Sequence, residues 1–190
     1  MKERILAAAA QEMNERGVKF TVDAVAARLG ISKKTLYQYY PSKDALIAAI
    51  IDAALADMVA QKEQILASAE PFPRLLAAVL TVRPKLFGKI NDWVMEDIKK
   101  FRPQEWQKIE RYRREHTAVV MNLLEAGKRE GFIRPIHSRV AAQMLLGAVG
   151  ELLDYRFLAE NNLSLSEALD AVTDVFLNGV LTKAGESDNQ

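Results

Sequence analysis

Residues 21–46 constrain the fold most, because two short helical patterns lie there on either side of a single glycine. The first pattern predicts a helix over 22–29, with a polar cap and an acidic first turn. Gly30 can adopt the left-handed conformation that ends such a helix. Ser32 then caps a second helix over 33–39. This arrangement predicts a helix-turn-helix whose second helix is the recognition helix.

The outward side of the 33–39 helix suits DNA, because it offers cations, hydrogen-bonding groups and phenols for phosphates and base edges. Lys43 lies just after the cap Ser42, where free backbone amides and an ammonium group can hold a phosphate. The alternative is a pair of structural helices with a glycine turn and no role in DNA binding. The candidate DNA-binding residues are Thr21, Lys33, Lys34, Thr35, Tyr37, Gln38, Tyr39 and Lys43.

Residues 36–46 read Leu-Tyr-Gln-Tyr-Tyr-Pro-Ser-Lys-Asp-Ala-Leu. Together with the preceding helix-turn-helix, this run resembles the N-terminal signature of the TetR/AcrR family of bacterial transcriptional regulators. Tyr40 departs from the signature, which more often has Phe there. The resemblance is close over about residues 1–50 and extends further only in length and helical layout. It implies an all-α fold, in which a three-helix helix-turn-helix DNA-binding domain precedes a C-terminal helical domain for ligand binding and dimerisation.

Charge is distributed unevenly, although the net charge is only +1. Residues 1–45 carry eight Lys or Arg against five acids, so this part has a charge of +3 and the remainder −2. A basic module on a mildly acidic body indicates that DNA contact is limited to one end of the molecule. No stretch approaches the roughly 20 apolar residues of a membrane-spanning helix, and the N-terminus does not resemble a signal peptide. We therefore expect a cytoplasmic protein without a membrane partner.

Few side chains could support catalysis or metal binding. The chain has no cysteine, which excludes disulfides and thiolate metal sites, and its two histidines, His116 and His137, are isolated in sequence. No nucleophile, base and orienting group occur together. We therefore predict no catalytic residues, metal site or cofactor, and regard an enzyme or carrier with an incidental helix-turn-helix as the weaker alternative.

A long helix is expected to connect the two parts of the chain. No proline or glycine interrupts the apolar pattern between residue 43 and about residue 68, which at 1.5 Å per residue gives a helix of roughly 40 Å. Such a helix could act as a lever between two bodies. The other predicted helices are 2–16, 72–83, 85–100, 104–130, 138–160 and 165–183. The predicted domains are 1–46 for DNA binding, 47–184 for effector binding and dimerisation, and 185–190 as a disordered tail.

The last two helices are apolar over an arc too wide for one neighbour to cover. A self-complementary dimer interface built as a four-helix bundle explains this economically, and the family resemblance implies the same interface. The alternative is a pair of helices fully buried in a monomeric core. The predicted interface residues are Leu146, Val149, Leu153, Leu169, Val172, Phe176 and Val180.

Polar residues interrupt the apolar stripe of the 104–130 helix. Arg113 and His116 lie on a face that should look inward, and large aromatic residues are expected nearby. Aromatic walls with a few convergent polar groups are typical of a small-molecule pocket. The alternative is ordinary packing around a satisfied core histidine. The candidate ligand-binding residues are Phe87, Trp93, Tyr112, Arg113, His116, Met121, Glu151 and Tyr155.

Together, these patterns and the resemblance predict a ligand-responsive transcriptional regulator that is not an enzyme. We expect a repressor that binds a palindromic double-stranded DNA operator as a homodimer and is released by a small, largely apolar or aromatic effector. The alternative is a helical DNA-binding protein that organises or marks chromosome sites without any small-molecule effector.

Overall fold

The computed structural model describes residues 1–87, 91 and 93–182, and in this part of the chain the regular elements are helical. One isolated antiparallel bridge joins Ile133 to Leu181. No described helix combines the length and apolar character needed to cross a membrane. The α-helices are α1 Lys2–Arg16, α2 Val22–Leu29, α3 Lys33–Tyr39, α4 Lys43–Leu66, α5 Phe72–Leu80, α6 Trp93–Phe101, α7 Pro103–Glu130, α8 Ser138–Leu152, α9 Tyr155–Glu160 and α10 Leu165–Val180; 3₁₀ turns span Gly17–Lys19 and Lys85–Phe87.

The first three helices have the predicted bounds, and the caps of α2 and α3 are encoded locally. The Thr21 side chain accepts from the amide of Ala24, and Gly30 ends α2 in the left-handed conformation at φ 66°. The Ser32 hydroxyl then accepts from the amide of Thr35 at 3.0 Å and starts α3. These contacts produce the helix-turn-helix expected from the sequence.

Four of the later predicted helices are wrong in extent. The span 85–100 contains a 3₁₀ turn at Lys85–Phe87, and α6 begins only at Trp93. The span 138–160 is two helices, because α8 ends at Leu152 and Asp154 caps α9 by accepting from the amide of Arg156 at 2.9 Å. Helix α5 also ends at Leu80, before the predicted residue 83, and α10 ends at Val180, before the predicted residue 183. The predicted tail, 185–190, lies outside the described residues.

The N-terminal body has a continuous apolar core. Ile5 and Met13 of α1, Val25 of α2, and Leu36 of α3 are each 0% exposed. The core does not stop at residue 46, since it continues along α4 to Ile51. It also includes Val94 and Ile98 of α6 and Ile109 of α7, so helices from the rest of the chain pack directly on this body.

Helix α4 connects the two parts of the molecule. Its 24 residues begin at the cap Ser42, beside the recognition helix, and span roughly 36 Å at 1.5 Å per residue. Beyond α4, a second core joins α5, α7 and α10 through Leu76, Val120, Leu124 and Leu177. A third, smaller core packs α9 against the end of α8 and the start of α10.

Candidate nucleic-acid interface and internal cavity

Helix α3 presents an outward polar face. Leu36 is 0% exposed and anchors the helix, whereas Tyr37 and Tyr39 are 39% and 40% exposed. Thr35 is half-buried, and its hydroxyl lies 2.8 Å from the Ser32 hydroxyl. The predicted DNA-binding residues Thr21, Lys33, Lys34 and Gln38 are also exposed. The surface therefore has the hydrogen-bonding groups and cations that direct readout requires.

Two lysines of this surface have different surroundings. The ammonium of Lys33 donates to Asp23 Oδ2 at 2.9 Å, and this hydrogen bond raises the pKa of Lys33. Lys43 is half-buried at the start of α4, with its ammonium 5.0 Å from the centroid of the Phe20 ring. Burial, followed by the charge of Arg102, lowers the pKa of Lys43. Lys33 thus pairs with an exposed carboxylate of the same chain, Asp23. Lys43, in contrast, lies at a helix N-terminus, which is suited to binding a phosphate.

A cavity of about 210 Å³ lies in the C-terminal body between α4, α6, α7, α8 and α10. Its walls are mostly apolar, with α4 contributing Ile51, Ala54, Leu55 and Met58. Helix α6 adds Val94, Met95 and Ile98 from the opposite side. A largely apolar cavity with a few polar groups is typical of a small-molecule site.

Tyr112 and His116 form the polar centre of this cavity. Their rings stack with centroids 5.9 Å apart. Burial raises the pKa of Tyr112 to about 12. Burial also lowers the pKa of His116 to about 4, assisted by the charges of Lys62 and Arg83. His116 is therefore neutral at neutral pH, and within the described part of the chain its buried Nδ1 has no hydrogen-bond partner.

The structure brings together three of the eight predicted ligand-binding residues. Tyr112, Arg113 and His116 line the cavity, as do the unpredicted Arg83, Thr117 and Thr173. Arg83 was missed because the sequence placed it at the end of a predicted helix over 72–83, whereas α5 ends at Leu80 and Arg83 lies in the connection that follows. The remaining candidates Trp93, Met121, Glu151 and Tyr155 do not line the cavity, and the side chain of Phe87 lies outside the described residues.

The helix break explains why some of these candidates lie elsewhere. Tyr155 belongs to α9 rather than to a continuation of α8, and it is 37% exposed. Trp93 instead packs beside Gly17 in the N-terminal body. Among the described residues, no cluster of His, Cys, Asp and Glu has the grouping needed to hold a metal ion.

The predicted interface residues separate into two groups. Leu146, Val149, Leu153 and Leu169 line the internal cavity, because the α8 and α10 faces that carry them turn inward. Val172, Phe176 and Val180 instead line an external groove between α8 and α10. This α8–α10 groove also carries Val140, Met144 and Val175, which are 52%, 68% and 72% exposed.

Helix α6 contacts both the cavity and the DNA-binding body. Beside its cavity-lining residues, Asp97 Oδ2 accepts from the amide of Val18 at 3.2 Å. The Asn91 side chain, just before α6, donates to the carbonyl of Asn14 at 2.7 Å. After α6, Arg102 pairs with Asp44 at 2.7 Å, next to Lys43. A displacement of α6 would therefore act on both ends of the helix-turn-helix body.

Comparison with known proteins agrees with this architecture. Residues 5–50 match the family described as bacterial regulatory proteins, tetR family. The chain is 30% identical over 182 residues, 95% of each chain, to the uncharacterized HTH-type transcriptional regulator YvaF of Bacillus subtilis (strain 168). The TetR family transcriptional regulator PfmR from Thermus thermophilus matches with a TM-score of 0.66 at 25% identity, over 92% of this chain and 97% of that one.

A putative transcriptional regulator from Saccharomonospora viridis, solved in complex with choline, shares the fold with a TM-score of 0.74. It is 15% identical and covers 96% of this chain and 98% of its own. A helix-turn-helix joined to a larger helical body defines a DNA-binding transcriptional regulator. The chain belongs to the TetR family of bacterial transcriptional regulators, which are not enzymes.

Proposed function

We propose that this regulator is a repressor that binds a palindromic operator as a homodimer and is released when a small, largely apolar effector fills the cavity. The observation that carries the proposal is the position of α4 and α6. Each of them lines the cavity and also contacts the DNA-binding body. An effector that favours one arrangement of these helices therefore changes the placement of α3.

The coupling follows from differential binding. A ligand shifts a conformational equilibrium only if it binds one state better than the other. If the ligand-bound cavity separates α6 from α4, the hydrogen bond from Val18 to Asp97 transmits this motion to the turn after α1, and the ion pair between Arg102 and Asp44 transmits it to the start of α4. Lys43 and α3 then move together, and two recognition helices lose the spacing of successive major grooves.

The homodimer is supported by the α8–α10 groove. Met144 and Val175 are large apolar residues that are exposed in this groove. An apolar patch of this kind is unusual on the surface of a monomer and is typical of an interaction site. A second copy packed about a two-fold axis would cover these residues and form a four-helix interface. In this proposal residues 1–46 bind DNA and 47–184 bind the effector and the second copy, as inferred from the sequence, and the protein acts in the cytoplasm, where chromosomal DNA lies.

The small-molecule part of the proposal is supported by the cavity itself. It lies between several helices, and few of its lining residues are polar. The neighbour from Saccharomonospora viridis that shares the fold was solved with a small molecule, choline. A chromosome-site-marking protein without an effector would have no use for this cavity.

The test begins with selection of DNA from a random pool by the purified protein. The proposal predicts an inverted repeat with half-sites about one helical turn or somewhat more apart. Ligands that raise the melting temperature are then added to the protein–operator complex. A selected site without two-fold symmetry would contradict the homodimer, and operator affinity unchanged by a saturating cavity ligand would contradict effector-driven release.

A further inference from the structure

The internal cavity carries an excess of positive charge. Arg83 and Arg113 are the charged residues of its lining, and no aspartate or glutamate lies among the described lining residues. Lys62 is 8% exposed, and its ammonium lies 4.9 Å from the centroid of the Tyr112 ring, which forms part of the wall. Two cations therefore line a mostly apolar space, and a third, Lys62, lies against the Tyr112 ring that forms part of its wall.

Nearby carboxylates compensate this charge only in part. Glu110 pairs with Arg113 at 2.5 Å, but Asp170 is 3.9 Å from Arg83 and its side chain is 65% exposed. No carboxylate in the described part of the chain forms an ion pair with Lys62. Charges taken out of water require a partner, because their lost hydration is otherwise uncompensated.

Backbone carbonyls hold both arginines in place, and Arg113 also has its ion pair with Glu110. Arg83 Nη1 donates to the carbonyls of Leu80 at 3.3 Å and Val82 at 3.0 Å, and thereby caps the end of α5. Arg113 Nη2 donates to the carbonyl of Leu146 at 2.9 Å. The buried Nε of Arg113 has no hydrogen-bond partner among the described residues. Carbonyl oxygens fix the orientation of a guanidinium but do not neutralise it.

We propose that the effector is an amphipathic monoanion, with an apolar body in the cavity and one terminal carboxylate bound among His116, Lys62 and Arg83. This inference rests on the proposed function, since it names the chemical class that the regulatory site accepts. The unpartnered Nδ1 of His116 offers a hydrogen-bonding site at the polar centre of an otherwise apolar wall. A carboxylate there would accept hydrogen bonds and supply the missing negative charge, whereas a cation would be repelled.

The choice of carboxylate over a neutral polar group follows from the same contacts. A neutral ligand could satisfy the imidazole but would leave the charge of Lys62 unpaired. Charge-assisted hydrogen bonds are roughly twice as strong as neutral ones in such surroundings. We expect about a tenfold or greater preference for the anion over a neutral isostere, equal to about 1.4 kcal/mol.

The chain provides its own reporters for the test. Of its two histidines, His116 lines the cavity and His137 lines the α8–α10 groove. The imidazole resonances of the full-length protein are followed by NMR, without DNA, during titration with octanoate, octanamide or octylammonium. These probes share an apolar chain and differ in the charge of the head group.

The proposal predicts that octanoate shifts the His116 resonances, leaves those of His137 unchanged, and binds at least tenfold more tightly than octanamide or octylammonium. Bound carboxylate should also raise the pKa of His116. Equal affinity for octanoate and octanamide would overturn the proposal. So would an absence of any shift at His116, or a shift at His137 alone, which would place the anion in the groove.

Lys62→Met should remove most of the preference for octanoate over octanamide and leave octanamide binding nearly unchanged. The matched control is Lys99→Met, because Lys99 also lies over an aromatic ring, at 5.8 Å from the Trp106 centroid, but is exposed. An unchanged preference in Lys62→Met would overturn the proposal, and the wild-type titration remains decisive if this variant does not fold.

Operator affinity separates this inference from the proposed function. If octanoate shows the predicted preference but saturating octanoate leaves operator binding unchanged, the site is correct and effector-driven release is wrong. If another cavity ligand releases the operator but the anion preference is absent, the regulatory function stands and the anionic class is wrong.

Discussion

Gly17→Ala tests the contact through which α6 holds the DNA-binding body. Gly17 has φ 65° and ψ −164°, a conformation essentially restricted to glycine. An added methyl group would lie 2.6 Å from Cζ3 of Trp93 and closer still to the Asp97 carboxylate. The substitution therefore strains the backbone and also pushes away the start of α6.

The expected loss of stability has two parts. The backbone strain costs about 1–3 kcal/mol, and forcing the rigid Trp93 ring aside costs about 1–3 kcal/mol more. We therefore expect the free energy of unfolding to fall by at least about 2 kcal/mol, and the melting temperature to fall by at least about 4 °C for a chain of this size. Denaturant and thermal unfolding measure both quantities.

Gly131→Ala provides the matched control. Gly131 also has a positive φ, 84°, but a methyl group there would have no neighbour within 4 Å. This control should lose only the backbone part, about 1–2 kcal/mol. If Gly17→Ala is as stable as Gly131→Ala, or still couples ligand to operator like the wild type, the proposed contact between α6 and the DNA-binding body is refuted.

The remaining predictions concern the DNA surface, the dimer and the cavity. Lys43→Ala should weaken all DNA sequences about equally and reduce the slope of log affinity against log salt by about one, as binding assays at several salt concentrations would show; selective loss at one base would contradict a phosphate role. Met144→Glu or Val175→Glu should dissociate the dimer without unfolding the chain, since both side chains are exposed; an intact dimer by sedimentation would show that the interface lies elsewhere. Because His116 has a lowered pKa of about 4, the unfolded state binds its proton first as pH falls below 6.5, and stability should fall between pH 6.5 and pH 4 by roughly 3 kcal/mol at about 1.4 kcal/mol per pH unit. His116→Leu should remove this fall and His137→Leu should not; an equal fall in both variants would contradict the assignment.

The helix-turn-helix was predictable because local chemistry determines it. Thr21, Ser32 and Ser42 each cap a helix through the amide three residues ahead, and Gly30 supplies the left-handed turn. These signals lie within a few residues of the elements they define. The recognition of the family over the same stretch depends on the same local pattern.

The cavity was only partly predictable, because several of its walls depend on tertiary packing. Tyr112 and His116 could be found from helical periodicity within α7. Arg83 could not, since its side chain reaches the cavity from a connection. The end of α8 at Leu152 was missed because neither proline nor glycine follows it and Gly150 lies within the helix, and this error placed Tyr155 in the cavity.

The apolar residues of α8 and α10 show the limit of periodicity most clearly. The broad apolar arc was predicted to face a second copy, but Leu146 and Val149 line the cavity. Both surfaces are apolar, so hydrophobicity alone does not distinguish an internal wall from an interface. Only the packing of α8 across α7 separates the inward face from the exposed face that carries Met144.

The central claim is that occupancy of the cavity controls operator binding. Its most direct test is operator affinity measured with the cavity empty and with it saturated by a ligand that shifts the His116 resonances. The account predicts a roughly 5- to 150-fold loss of operator affinity, about 1–3 kcal/mol, and by linkage the same loss of ligand affinity when operator is bound. Identical operator affinities in the two states would contradict it.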